Sequence, residues 1–471
     1  MSQRSRTSLP RSMGVTGLTL FGISYMAIGT VFTTYGIVNQ LTEGHLVASY
    51  VVALVVMLFT ASSYSAMVRR YPVAGSAYTY AQQSFGGGVG FLTGWILLLD
   101  YLFIPMINFL ILGLYANTQF PAVPVWVFTL GAIIAALILN VLGISLVSKV
   151  NSAVVLVSFA AVVVFAFFAI KTAIGDPNAP GVFEPFLPGS AQFNPVLTGA
   201  AVLSLSFLGF DAVSTLSEEA KRPRRDIPIA IMVTTVVGGL LFIAVAWVGA
   251  LAYHLPDWSA APQALLDAAG AVLFDHVGGP ILAGVFVFVT VLGTLGAGLA
   301  GQAAVSRILF SMGRDGILPR PLGGLSRKYG TPVVATALVS VIALAGLFVT
   351  LSQAAFMISF GALVAFAMVN LSVIRTYLFG PRTERTALTA GRLVRYGIVP
   401  AIGFALTLWL LSSLQGVTWI IGGAWALVGV VILAVKTGMF RRPVPKLDFS
   451  EVEPTTEAID QLPRESFLGQ K

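Results

Sequence analysis

The chain has 471 residues, of which 57% are hydrophobic and 10% charged, with a mean hydropathy of +0.89. Soluble domains carry about 25% charged residues, so this composition excludes a globule covered by water. A net charge of +8 invites a nucleic-acid reading, which the distribution of that charge excludes below, and the absence of cysteine removes disulfides and thiolate metal sites.

About 20 consecutive apolar residues cross a bilayer core as a helix. Twelve such runs follow one another, at 14–38, 46–68, 87–116, 124–143, 150–170, 195–217, 228–251, 280–311, 332–351, 354–377, 395–413 and 417–437. They predict an all-α polytopic membrane protein with twelve transmembrane helices. Residues 1–12 precede them as a cytoplasmic segment, and the polar, proline-dotted 438–471 follow as a disordered cytoplasmic tail. With the N-terminus inside, every one of the 27 lysines and arginines except Lys171 falls on the cytoplasmic side, as the positive-inside rule demands. The outer loops carry Glu43, Asp176, Glu184, Asp257, Asp267 and Asp275. The lipid bilayer is therefore the partner that the charge pattern indicates, and nucleic acid is not.

The first run follows arginines, as a signal peptide would, but it is too long and lacks a small-residue cleavage site. It contains FGISYMAIGTVFTTYG, Phe21 to Gly36, where glycines and hydroxyl residues weaken a continuous helix. After the second run comes RRYPVAGSAYTYAQQSFGGG, Arg69 to Gly88, read either as an interfacial or re-entrant segment or as a tyrosine belt at the headgroups. The third run carries Asp100 in LLLDYLFIPMIN. The sixth, LSLSFLGFDAVSTLSEE, places Gly209 beside Asp211 and ends on Glu218 and Glu219. Lys221 to Arg225 then anchor a loop, and Asp226-Ile227-Pro228 is expected to open the seventh helix, where proline suits the first turn. SMGRDGILPRPL, Ser311 to Leu322, reads as helix end, turn and proline, without phosphate-loop character. Helices 11 and 12 carry no polar constellation and serve packing or oligomerisation.

The weakened first and sixth runs stand five apart. Paired discontinuous helices at matching positions of two halves point to a transporter site built from inverted repeats, and broken backbone at that depth must face protein or a water-filled cavity. Glycines also serve close helix packing, but two matched clusters favour the breaks. Asp100 and Asp211 are the ionisable residues well inside the runs. A charge at that depth costs at least ~2.5–3.5 kcal/mol, which makes such residues functional candidates, and a carboxyl in low dielectric can load and release a proton. The alternative for each is a structural carboxyl bonded to a helix N–H or a hydroxyl. His45, His254 and His276 map to the outer side and suit neither a proton relay nor a metal site.

GFDAVSTLSEEAKRPRRDIPIAI, RRYPVAGSAYTYAQ and SRILFSMGRDGILP together resemble signatures of the amino acid–polyamine–organocation (APC) superfamily of permeases. YGIVNQLTEGHLVASY, LLDYLFIPMIN, ISFGALVAFAMVNLSVI and FRRPVPKLDF are most similar to the bacterial putrescine importers within it. The resemblance implies a transporter core at 13–380 with a LeuT-like pair of inverted five-helix repeats, about 13–172 and 195–380, and two extra helices at 395–437. It implies an inner-membrane location, proton-coupled uptake by alternating access and no cofactor. Substrate would be held at Ala27, Ile28, Gly29 and Thr30 of the first break and at Ser206, Phe207, Gly209 and Asp211 of the second, with Tyr101 and Asn108 lining the same cavity. Phe207 or Phe210 would act as a gate, or else pack against lipid.

One position departs from the importers: Thr33 stands where they have an acid. Asp211 is then the proton carrier or an ammonium partner, and Asp100 a second cation-binding or structural acid. Gly29-Thr30 is also similar to the break with which amino-acid carriers hold a carboxylate on free N–H groups. The expected substrate is putrescine or a similar small amine, with an amino acid as the alternative. An intramembrane aspartyl protease also needs two membrane aspartates, but its Gly-x-Gly-Asp motif is replaced here by Leu208-Gly209-Phe210-Asp211. A sensor or a channel would share the fold, although a sensor usually keeps a longer tail.

Overall fold

A segment lying in hydrocarbon has no water to satisfy its peptide groups, so it closes them on one another as a helix. The computed structural model describes residues 13–72, 76–143, 147–177, 179–189, 193–255, 257–314, 316–326, 328–380 and 389–439, and each apolar run among them is helical. The expected N-terminal segment 1–12 and the tail from 440 lie outside the described residues.

Helix α1 (Val15–Tyr25) and α2 (Thr30–Thr42) form one span bent by 48°. Next come α3 (Leu46–Arg70), the short α4 (Ala77–Phe85), α5 (Gly87–Gln119), α6 (Val125–Leu142) and α7 (Val147–Gly175). α8 (Phe193–Leu203) passes through 3-10 turns to Glu218. Then follow α9 (Pro223–Ala252), α10 (Gln263–Asp267), α11 (Ala269–Arg314), α12 (Val333–Ala343) and α13 (Leu351–Leu378). α14 (Ala390–Leu393) runs through a π turn into α15 (Val399–Ser412), and α16 (Gly416–Lys436) closes the series.

Among the described residues, ten helices are long and apolar enough to cross a membrane, and the bent α1–α2 pair makes up to eleven. The run expected at 332–351 yields only the shorter apolar helix Val333–Leu347, because Pro332 caps its start and Thr350 already caps α13 through a capping box with Gln353. Gly279, at φ 77, breaks α11 just before Pro280, so the span begins at 280 as the sequence indicates. The seventh helix opens earlier than expected. Pro223 takes its first position, Asp226 accepts the Arg222 N–H at 3.1 Å, and Pro228 lies inside the helix.

α5 is the central post, packed against α4, α6, α11, α12, α13 and α16. Opposite it, α9 packs on α1 and α3. Buried side-chain amides tie the layers together. The Asn140 amide donates to Gln302 Oε1 at 2.8 Å, and the Gln302 amide donates to Ser340 Oγ, joining α6, α11 and α12. Such bonds between membrane helices contribute about 0.6 kcal/mol each on average.

The last helix is not bare of polar contacts, contrary to expectation. The indoles of Trp95 and Trp425 stack at 4.7 Å, and each N–H donates to the other's carbonyl, at 2.9 and 2.7 Å. Arg69, Arg70, Arg314, Arg375 and Lys436 lie in the last turns of their helices at one end of the bundle. At this basic end Met13 forms a parallel bridge with Ala220, its N–H donating to the Glu219 carbonyl and its carbonyl accepting from Lys221.

Trp425→Ala should lower stability by about 1–3 kcal/mol, since it removes a half-buried indole from a reciprocal pair. Thermal unfolding in detergent would read this, with Trp425→Phe losing less.

Candidate functional site

The first break follows from a short run of helix-poor residues. After Tyr25 the chain turns through Ala27, whose φ of 45 is left-handed, and resumes as a helix at Thr30. The Thr30 hydroxyl donates to the Ala27 carbonyl at 2.6 Å and fixes the turn. The hydroxyls of Thr33 and Thr34 both donate back to the Thr30 carbonyl, at 3.1 and 2.8 Å. Ala27 is exposed, Ile28, Gly29 and Thr30 are half-buried, and Thr33 is buried. Among the described residues, the N–H groups of Ile28 and Gly29 donate to no protein group.

The second break is built on Gly209, at φ 138, where glycine is nearly obligatory. Its N–H donates to Asp211 Oδ1 at 3.0 Å, and Ser214 Oγ donates to the Asp211 carbonyl at 2.6 Å. Here the two breaks meet. A Cβ on Gly209 would lie 2.9 Å from both the Gly22 carbonyl oxygen and the Met26 nitrogen. Ser206 Oγ faces the Tyr50 hydroxyl at 3.4 Å. Phe207 packs edge-on against Phe242 at 5.5 Å, and Phe210 lies tilted by 35° against Phe366 at 5.3 Å. Both rings are fully buried, so the lipid-facing alternative is corrected.

α5 brings the other acid. Asp100 is 2% exposed, and its Oδ1 has no hydrogen-bond partner among the described residues. It lies where α5 presses on Gly361 of α13, whose bare Cα permits the approach. Asp100 and Tyr101 are within Coulombic reach of the Asp211 carboxyl. Asn108 lies two turns further along α5 and is half-buried, but its amide donates to the Ile104 carbonyl of its own helix at 2.8 Å. The structure therefore gathers Asp100, Tyr101 and Asp211 beside the two interlocked breaks, while Thr33 and Asn108 turn their polar groups onto their own helices.

One residue in the surrounding shell, Tyr64, escaped the sequence reading. Tyr64 of α3 stacks edge-on with Tyr80 of α4, with Phe210 and with Phe366, at 5.8, 5.6 and 6.1 Å. Tyr80 is fully buried and Tyr78 nearly so, which removes both from a headgroup belt; α4 packs on α5 and α13 and leaves Gln83 and Phe85 exposed. The signal available was Ser63-Tyr64-Ser65, a polar triplet inside an apolar run.

The amino acid permease family model matches residues 17–435. The low-affinity putrescine importer of Escherichia coli (strain K12) is 37% identical over 451 residues, covering 94% of this chain and 97% of that protein. The branched-chain amino acid permease of Bacillus subtilis (strain 168) is 30% identical, covering 90% of this chain and 92% of that one. The methylthioribose transporter of the same organism is 29% identical, over 92% and 94%.

Gly209→Ala should cost about 2–4 kcal/mol through left-handed strain and the collision with α1, and transport should fall with it. Gly29→Ala points a methyl into open space and should unfold within about 0.5 kcal/mol of wild type. Melting curves of the two purified variants check the contrast.

Proposed function

The chain belongs to the amino acid permease family, and we propose that it imports a small amine, putrescine or a close analogue, by proton symport through alternating access. The observation that carries this reading is a pair of buried carboxyls, Asp100 and Asp211, beside two helix breaks, with no lysine, arginine or histidine buried among the described residues. A buried acid needs a cation or a proton, and an amine importer meets both needs from its own cargo.

In this reading the basic end faces the cytoplasm of a bacterial inner membrane. Residues 13–380 form two inverted repeats, about 13–172 and 195–380, and 395–437 adds two further helices to make twelve. Val333–Leu347 serves as the ninth helix by crossing only part of the core. Substrate lies against Ala27, Ile28, Gly29, Thr30, Ser206, Phe207, Gly209 and Tyr101, with Thr33, Asn108 and Phe210 at the margins. Asp211 carries the proton and Asp100 faces an ammonium. The Asp211 carboxyl accepts the Gly209 N–H, so protonating it weakens the bond that caps the second break, and Gly209 rests on the first. A proton on one carboxyl thereby alters the footing of both breaks. The importer at 37% identity supports the amine.

An amino-acid substrate is the second reading. It is favoured by the two unengaged N–H groups of Ile28 and Gly29 at the start of α2, where a carboxylate would be stabilised, and by the branched-chain relative.

Uptake of labelled putrescine into proteoliposomes under an inward proton gradient tests the proposal, with unlabelled amines and amino acids as competitors. Accumulation that amines alone inhibit is the expected result; accumulation of leucine instead would transfer the site to the second reading. Asp211→Asn should abolish accumulation, at least tenfold below wild type, without shifting the melting temperature. Normal uptake by that variant would remove Asp211 from the coupling step.

A further inference from the structure

Beside the two breaks, toward the basic end, four buried oxygens have no hydrogen bond of full geometry among the described residues: Asp100 Oδ1, Tyr64 OH, Tyr80 OH and Ser76 Oγ; the Tyr64 hydroxyl lies toward Ser76 and the Tyr80 hydroxyl toward Ser214. Their residues are 2, 0, 0 and 5% exposed and come from three elements, α5, α3 and the start of α4. A buried hydroxyl left unpaired costs about 1–3 kcal/mol, so several in one region call for a shared function. The groups are connected. Tyr64 touches Tyr80 and Phe210 through ring edges, and the Asp211 charge reaches both tyrosines. Tyr64 stands one to two turns from Arg69 and Arg70, and Ser76 holds the N-cap position of α4 without a side-chain cap bond. Besides Asp211 and each other, the tyrosines have Tyr101 of α5 within reach of Tyr64, and Tyr101 in turn faces Asp100 and Tyr25; α13 contributes Phe366.

The rings pack edge to face, which shuts the layer to a substrate-sized molecule, while each hydroxyl both donates and accepts. We propose that Tyr80, Tyr64 and Ser76, bridged by water, form a proton route from Asp211 and Asp100 to the basic end, separate from the path the substrate takes. This rests on the proton-coupled reading above. In each passage the carboxyl gives up its proton and becomes a carboxylate. Every hydroxyl accepts one proton as it passes on another, and water at the basic end takes the last.

The test uses the purified full chain in proteoliposomes, with labelled putrescine as probe and labelled leucine as the second probe. Counterflow at equal pH needs no net proton movement, whereas accumulation driven by one pH unit at zero potential reaches about tenfold per proton. Tyr64→Phe and Tyr80→Phe keep the rings and remove the hydroxyls. Counterflow within about twofold of wild type, together with accumulation falling from about tenfold toward unity, is expected. Ser76→Ala should show a weaker version of the same split. Accumulation at the wild-type level, or counterflow lost in parallel, would overturn the route. Wild-type protein that runs counterflow but never accumulates would overturn the coupled reading and this route with it, and failure of both probes in both assays would remove the transport reading itself.

Discussion

Broken backbone cannot stand alone in hydrocarbon, and the contact between the two breaks answers that constraint for both. Gly209 lies directly on the Gly22 carbonyl and the Met26 amide, so each interruption has the other packed against it. Much of the surrounding sequence follows from that contact. Gly22 must be bare to admit Val213 and Thr234, and Gly238 and Gly239 of α9 must be bare to admit Met26 and Phe207. The rigid post α5 then offers Asp100 and Tyr101 to the side of the junction. Flexibility at the centre is held between helices that are themselves tied by the Asn140–Gln302–Ser340 chain and the Trp95–Trp425 pair.

The helices were legible because membrane solvation leaves little choice of secondary structure, so the length of an apolar run is enough. The breaks were legible because Gly29, Thr30, Gly209 and the hydroxyl residues near them are poor helix formers gathered at two places. Asp100 and Asp211 stood out because nothing else ionisable lies so deep. What sequence could not supply was direction. Thr33 and Asn108 suit a cavity wall by chemistry, yet a side chain on a helix can equally bond its own backbone, and both do. The start of α9 was misplaced because Pro223 and Pro228 are equally good first-turn residues. Pairings such as Trp95 with Trp425, or Tyr64 with Tyr80, join separate elements and leave no local trace beyond composition.

The balance of charge within the bundle is unusual for its one-sidedness. Two carboxyls are buried beside the breaks and, among the described residues, no basic side chain is buried with them, although arginines crowd one end. A protein that buries an acid beside a base has settled its own electrostatics. In the amine-importer reading proposed above, that settlement is left to the cargo, and a proton and an ammonium would compete for, or share, the same pair of sites.

The short bridge between Met13 and Ala220 has a mechanical meaning. It fastens the entry to α1 onto the exit from the second break, so the halves of the two broken spans nearest the basic end form one leaf with a common edge. A displacement of either segment is therefore passed to the other through two backbone hydrogen bonds, at 3.1 and 2.9 Å.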